Sequence, residues 1–222
     1  MKIFVFSKEY SKSVAKVIEK KISIRKKQNI ILTGGNTVKE IYRNININKI
    51  NFKNSYYFSD ERCVSKLSVR SNFYNLSQNL FKDKKNLFNV HRIHTYKKNK
   101  NSVINSYTRS LPKKFELLFL TLGDDGHLAS IFQTKDSKLN SLYFFTKNKF
   151  LNRISIGKKI IKRVKEIIIV VKGKQKGKIL NDYINSKIKI KKNYPLSLFH
   201  NSSLFLDRKA FNQLTKKNKT IY

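Results

Sequence analysis

The chain is short of the residues that staple or punctuate a fold. It has one cysteine, two prolines, seven glycines and no tryptophan in 222 residues. The single cysteine, Cys63, excludes an intramolecular disulfide and fits a reducing compartment, so a cytoplasmic location is expected. No apolar run approaches the roughly 18 residues that a membrane-spanning helix needs. The opening run Met1-Lys2-Ile3-Phe4-Val5-Phe6 is too short for the apolar core of a signal peptide and reads as a first strand. No membrane partner is expected. No set of His and Cys has zinc-like spacing, so no metal is expected; no cofactor is expected either. His91, His94 and His200 carry no motif.

Acidic residues are scarce as well. Thirteen Asp plus Glu stand against 49 Lys plus Arg, a formal net charge of +36. Taken alone, that surplus points to nucleic acid. The lysines, however, are spread along the whole chain and form no arm or tail. Doublets such as Lys84-Lys85, Lys97-Lys98, Lys113-Lys114 and Lys191-Lys192 fall in predicted loops or on helix surfaces. Abundant Lys, Asn, Ile, Phe and Tyr beside scarce Gly, Pro and Trp is the pattern of codons drawn from an A- and T-rich genome. The charge therefore reads as drift tolerated on a solvated surface, and no specific nucleic acid is expected. A positive field still helps an anionic substrate arrive.

What is scarce is also clustered. Five of the seven glycines sit in three segments, Gly34-Gly35, Gly123 with Gly126, and Gly173, and four of the 13 acids lie in Asp60-Glu61 and Asp124-Asp125. The most informative stretch is Thr121-Leu122-Gly123-Asp124-Asp125-Gly126-His127-Leu128-Ala129-Ser130. It follows a run, 115–120, that is apolar except for Glu116. Such a run ending in glycines reads as a buried parallel strand breaking into a tight turn. Open α/β sheets bind ligands outside the carboxyl ends of their strands. Histidine titrates near neutrality, which suits a general base.

Along the chain, short β-like runs alternate with amphipathic helices. Strands are expected at 2–6, 29–33, 55–59, 90–94, 115–122, 142–146, 153–156, 167–171 and 203–207. The pair 142–146 and 153–156 suggests an antiparallel arrangement. Helices are expected at 10–27, with Val14, Val17, Ile18, Ile22 and Ile24 as its apolar face, at 37–44, capped by Asn36 or Thr37, and at 71–81, capped by Ser71. Further helices are expected at 102–111, 173–186 and 208–215, with a helical turn at 195–199 and an exposed lysine-rich loop at 187–193. The alternation implies βαβ units: an α/β fold, Rossmann-like, with a mostly parallel sheet in a three-layer α/β/α sandwich. No repeat or linker interrupts it, so one domain is expected over 1–222.

Four segments together resemble the 6-phosphogluconolactonase family. They are Leu32-Thr33-Gly34-Gly35-Asn36-Thr37, Phe58-Ser59-Asp60-Glu61-Arg62-Cys63-Val64 with Ser71-Asn72 downstream, Leu122-Gly123-Asp124-Asp125-Gly126-His127-Leu128-Ala129-Ser130-Ile131-Phe132, and Val171-Lys172-Gly173-Lys174-Gln175-Lys176. Arg153-Ile154-Ser155 and Leu206-Asp207-Arg208-Lys209-Ala210 are similar to further landmarks. The resemblance implies a fold shared with glucosamine-6-phosphate deaminases and ribose-5-phosphate isomerases. It also implies hydrolysis of 6-phosphoglucono-1,5-lactone to 6-phosphogluconate in the pentose phosphate pathway, with a sugar-phosphate lactone as the small-molecule partner and a monomer or weak homodimer as the working form.

The deaminase relatives are the alternative. They carry Asp-Glu-Tyr where this chain has Asp60-Glu61-Arg62, and Ala-Phe-Asn-Glu-Pro where it has Ala129-Ser130-Ile131-Phe132. Both differences favour the lactonase. A second alternative is a basic RNA-associated protein on an ancestral sugar-phosphate fold. The chain departs from the lactonase pattern at Thr121, where glycine is usual, and at Val38, Ser65 and Gln133, where proline is usual. These changes bear on crowding and loop stiffness and leave the polar groups in place.

On this reading His127 is the candidate base that takes a proton from the attacking water. Asp125 either orients its imidazole or shapes the turn, and Asp124 is expected in solvent. Asp60 and Arg62 sit at a neighbouring strand end, where Arg62 offers a bidentate fork to the substrate phosphate or the developing oxyanion. Glu61 holds Arg62 or a backbone amide. The segment Thr33, Gly34, Gly35, Asn36, Thr37 forms an anion site between strand and helix. It is neither a Walker A motif nor G-x-G-x-x-G, so nucleotide binding has no support. Arg153 and Lys176 are phosphate contacts by resemblance, although composition alone puts any lysine here on the surface. Asn72 either bonds a sugar hydroxyl or caps the following helix. Cys63 reads as a small buried residue.

Overall fold

The structure is a computed structural model that describes residues 1–147 and 151–215. The rest of the expected 1–222 domain lies outside the described residues. The strands are β1 (Lys2–Phe6), β2 (Asn29–Leu32), β3 (Ser55–Phe58), β4 (Asp60–Arg62), β5 (Asn89–Val90), β6 (Phe115–Thr121), β7 (Tyr143–Lys147), β8 (Asn152–Ile156), β9 (Val164–Val171) and β10 (Ser203–Asp207). The helices are α1 (Tyr10–Ile22), α2 (Asn36–Arg43), α3 (Asn72–Leu76), α4 (Lys100–Arg109), α5 (Lys158–Ile161), α6 (Lys174–Asn185), α7 (Ile188–Lys191) and α8 (Arg208–Phe211).

Seven strands form one sheet in the order β1-β10-β9-β6-β2-β3-β5, and every pairing in it is parallel. The apolar run that reads as a buried strand, β6, occupies its centre, with β9 beside it. From Leu117 to Leu120 along β6 and from Ile167 to Val171 along β9 every residue is buried. A parallel strand covered on both faces has no polar side to alternate with, which is why these runs are continuous. Helix α1 contributes Val14, Ala15, Ile18 and Ile22, a stripe at helical spacing that is fully buried. Each such isoleucine contributes roughly 1.5–3 kcal/mol over an exposed one. The expected mostly parallel three-layer α/β/α fold is the observed one.

Several boundaries move for local reasons. The first helix stops at Ile22 rather than 27. Its last carbonyl is taken by Asn54 Nδ2 (2.8 Å), and Asn51 Nδ2 holds the carbonyls of Ile24 and Arg25 in a turn. Ile24, expected on the apolar face, is 50% exposed. The helix expected over 102–111 begins earlier, at Lys100, because Asn99 caps it by accepting from the Ser102 amide. The helix expected over 71–81 is α-helical only to Leu76 and relaxes into a wider π turn over Ser77–Phe81. The lysine-rich 187–193 segment contains a helical turn, α7, and the last helix ends at Phe211.

The largest change concerns Asp60 to Arg62. They do not merely end a sheet strand. They form β4 of a separate antiparallel sheet, β4-β8-β7, in which Arg62 pairs with Arg153 and Asp60 with Ser155. The antiparallel pairing expected of 142–146 and 153–156 is present as β7 and β8.

Candidate active site

Strand order locates the site. From β2 the chain proceeds outward to β3 and β5, and from β6 it proceeds the other way to β9 and β10. The sheet therefore switches direction between the neighbours β2 and β6. Loops leaving the carboxyl ends of two such strands diverge and leave a crevice. A cleft of about 220 Å³ lies there. Its walls are Thr33, Gly34, Gly35, Asn36 and Thr37 after β2, Asp60 and Arg62 of β4, Thr121, Gly123, Asp124, His127 and Ala129 at and after β6, Arg153 of β8, and Lys176 of α6. Of the expected site residues only Asp125 and Asn72 lie outside its lining.

The turn after β2 corrects one expectation. Neither Asn36 nor Thr37 caps α2. Gly35 holds the cap position with φ of 101°, and no side chain bonds the first amides of the helix. That φ is open to glycine and strained for other residues. The free amides and the positive end of the helix dipole are left for an anion.

Three cations converge on this cleft. Arg153 is mostly buried, its Nη1 lying 3.4 Å from Ser130 Oγ and 3.8 Å from Asp60 Oδ2. Burial pushes its pKa down, against the opposing pull of Asp60. Arg62 donates through Nη1 to the Arg70 carbonyl at 2.6 Å. Both guanidinium groups keep a buried Nε with no partner. An unbonded buried donor is costly, and an arriving oxyanion relieves that cost.

Lys176 overturns the compositional expectation. It is 8% exposed, and its Nζ donates to Thr37 Oγ1 at 2.8 Å. Asp124, its nearest carboxylate at 3.9 Å, is 82% exposed, as expected. Burial lowers the Lys176 pKa. A lysine whose folded pKa is depressed resists charging in the folded state, so its charge costs stability below that folded pKa. Lys176→Met is therefore expected to raise Tm in a thermal melt at pH 7 while weakening substrate binding. Each kcal/mol recovered is worth about 2–4 °C at this chain length. A lower Tm would mean that the contact with Thr37 outweighs the burial of charge.

Asp60 is the hub beneath the arginines. It is buried, accepts from Asn72 Nδ2 (2.9 Å) and Ser59 Oγ (3.3 Å) on one oxygen, and from Ser130 Oγ (2.5 Å) on the other. Asn72, expected to meet a sugar hydroxyl or to cap a helix, is turned inward to Asp60 instead. The cap of α3 is Ser71, whose Oγ accepts from the Tyr74 amide. Glu61 accepts from the amides of Arg62, Asn72 and Phe73 and from Ser71 Oγ, so it holds backbone at the start of α3. Cys63 is half-buried rather than buried. Ser130 received no role from sequence; the only signal for it was its place in the Ala-Ser pair after His127.

His127 stands on the turn after β6. Its Nδ1 bonds Asp125 Oδ1, and the Asp125 carboxylate also accepts from the His127 amide at 3.2 Å. Asp125 thus both orients the ring and shapes the turn, the two alternatives left open by sequence. Burial pushes its carboxyl up, but the bonds and charge of His127 prevail and hold it below the usual value. In the neutral ring, an Nδ1–H bonded to this carboxylate leaves the lone pair on Nε2. The ring rests against Phe132 at 5.0 Å, and the Arg153 guanidinium lies over the same Phe132 ring at 5.5 Å. Among the described residues, no three His, Cys, Asp or Glu side chains gather in a way that would hold a metal ion, and no helix is long and apolar enough to cross a membrane.

A crevice at the switch point, with an oriented imidazole facing buried cations, defines a site for an anionic small molecule. The family model described as glucosamine-6-phosphate isomerases/6-phosphogluconolactonase matches residues 5–206, and the chain belongs to that family. It is similar to a probable 6-phosphogluconolactonase of Dictyostelium discoideum, 30% identical over 202 residues that span 83% of this chain and 85% of that one. It is 28% identical over 189 residues to a 6-phosphogluconolactonase of Thermotoga maritima, spanning 82% of this chain and 83% of the other. A crystal structure of 6-phosphogluconolactonase from Thermotoga maritima shares the fold with a TM-score of 0.80 at 23% identity, covering 93% of this chain and 98% of that one.

Proposed function

We propose that this chain hydrolyses 6-phosphoglucono-1,5-lactone to 6-phosphogluconate, as a single cytoplasmic domain working as a monomer or weak homodimer. The observation that carries the reading is the sharing of one cleft by His127 and the buried cations Arg153 and Lys176 beside the uncapped start of α2. That pairing fits a substrate with an electrophilic carbonyl at one end and a phosphate at the other. Water adds to the lactone carbonyl carbon as His127 Nε2 takes its proton. The carbonyl oxygen becomes an oxyanion, met by Arg62. The adduct collapses by breaking the bond from that carbon to the ring oxygen, and the imidazolium returns the proton to the departing oxygen. The α2 amides, Thr37, Lys176 and Arg153 anchor the phosphate. Asp60, with its oxygens already engaged, positions Arg153 together with Ser130, and Asn72 positions Asp60.

The deaminase reading is weaker because Ala129-Ser130-Ile131-Phe132 supplies no carboxylate. The RNA reading gains little from this cleft, among whose described wall residues there is no Phe, Tyr or Trp for a base to stack on.

The test is lactone hydrolysis followed by NMR and corrected for the spontaneous reaction. Turnover of the phosphorylated lactone is expected, with non-phosphorylated gluconolactone a poor substrate; equal rates on both would remove the phosphate anchor. In the same assay Arg153→Ala is expected to raise KM by about 10- to 100-fold, the loss of charge-assisted bonds worth roughly 1.5–3 kcal/mol. An unchanged KM would move the phosphate away from Arg153.

A further inference from the structure

A second crevice opens at the carboxyl edge of the same sheet, beyond its outermost strand. After β5 ends at Val90, the chain lays His91, Arg92, His94 and Lys97 along one wall of a cavity of about 340 Å³. The facing wall is α4, where Ser102 and Ser106 stand one helical turn apart. Among the described residues, no carboxylate lines this cavity. Several cations elsewhere in the chain have such a partner, although Arg43, Arg62 and Lys100 are held by neutral oxygens. Lys21, Lys49, Lys172, Lys176 and Arg153 each face a carboxylate, whereas among the described residues neither Arg92 nor Lys97 forms an ion pair.

The groups are also held in place. The Arg92 guanidinium lies over the Phe73 ring at 5.0 Å, with Nη2 3.1 Å from His94 Nδ1. The His91 ring stacks on Tyr57 at 4.4 Å and 5°, and its Nε2 is buried with no hydrogen-bond partner. Burial lowers the pKa of both histidines, and the charged neighbours that add to this are all cations: Lys27 for His91, and Arg92, Lys97 and Lys66 for His94. A positive field without a counter-charge, a guanidinium fork, imidazole N–H groups and two hydroxyls are complementary to a tetrahedral oxyanion. The volume is that of a small-molecule pocket.

We propose that this crevice binds a small phosphate-bearing anion, free phosphate or a phosphomonoester, at a site separate from the candidate catalytic cleft. Thr95, next to His94 in the chain, donates to the Arg62 carbonyl at 3.0 Å, so the segment that would grip the anion is tied to a strand that lines the catalytic cleft.

The test is a titration of the full chain with orthophosphate, and separately with glycerol 3-phosphate, at ionic strength held constant with chloride. The readout is the NMR signals of the imidazole nitrogens. Saturable shifts at both His91 and His94 are expected, with a Kd at or below about 1 mM. Tighter binding of the ester than of phosphate identifies a phosphomonoester site, and the reverse a free-phosphate site. Arg92→Ala is expected to weaken binding at least about tenfold. Lys97→Ala, an exposed position, gives the same direction if Arg92→Ala fails to fold. Shifts confined to His127, shifts that never saturate, or equal affinity in both variants would overturn the proposal. So would shifts at His91 and His94 with an RNA oligonucleotide but with neither small anion.

Discussion

His127→Asn is expected to lower kcat by about 10²–10⁴, the usual worth of a positioned general base. A lactone carbonyl is already electrophilic and hydrolyses slowly unaided, so the protein has little to supply besides the base, an oxyanion contact and a phosphate anchor. Asparagine roughly keeps one donor toward Asp125 and much of the shape, but it has no nitrogen lone pair to accept the water's proton. KM is expected to stay within about threefold, since the lost interaction belongs to the transition state. Against the push of burial, the bonds and charge of His127 hold the Asp125 carboxyl below its usual value. A group with a depressed folded pKa stabilises the fold above its unfolded pKa and loses that contribution only as pH falls through the folded one. The Asp125–His127 contact therefore persists to lower pH than an ordinary aspartate would allow. A variant retaining more than about a tenth of kcat would rule out His127 as the base.

Gly123→Ala is expected to be nearly as damaging, although it removes no functional group. A Cβ at position 123 would stand 2.3 Å from His127 Nδ1 and 2.4 Å from Cε1, inside the ring's own space. The ring is pinned by Asp125 on one side and Phe132 on another, so it cannot yield without leaving its pose. A misplacement of about 1 Å at a reacting group can cost about 10²-fold, and a loss of that order in kcat is expected, with KM near the parent value. The turn itself should survive, because the Gly123 amide still bonds the His127 carbonyl at 2.9 Å. Circular dichroism would then be unchanged while the His127 imidazole signals move. A variant with parental kcat would show that catalysis does not depend on this ring position.

The contrast between Gly123 and Lys176 indicates how far the sequence could be read. The turn from 121 to 130 was legible because a buried parallel strand is an unbroken apolar run, and its end is marked by glycines and acids that the chain otherwise spends sparingly. The turn after β2 is legible for the same reason, although local pattern points to Asn36 or Thr37 as the cap and Gly35 holds it. Lys176 was not legible. In a chain with 49 Lys and Arg, composition makes any one lysine a surface residue, and only its place three residues after Gly173 argued otherwise. Ser130 and the inward turn of Asn72 were hidden too, since both depend on where Asp60 lies in space.

The sequence by itself determined the alternation of strands and helices, the burial of β6, and the turns that carry His127 and the Gly34-Gly35 amides. These are local properties: hydrophobic period, glycine placement and turn chemistry act over a few residues. The tertiary structure alone decided that Asp60 to Arg62 leave the main sheet to pair with β8, which sets Arg62 beside Arg153. It alone decided that the start of α6, following β9, reaches past β6 to the start of α2, following β2, so that Lys176 meets Thr37. Contacts between segments far apart in the chain are set by strand order and by the shared burial of both sheets. No local pattern of side chains encodes that order.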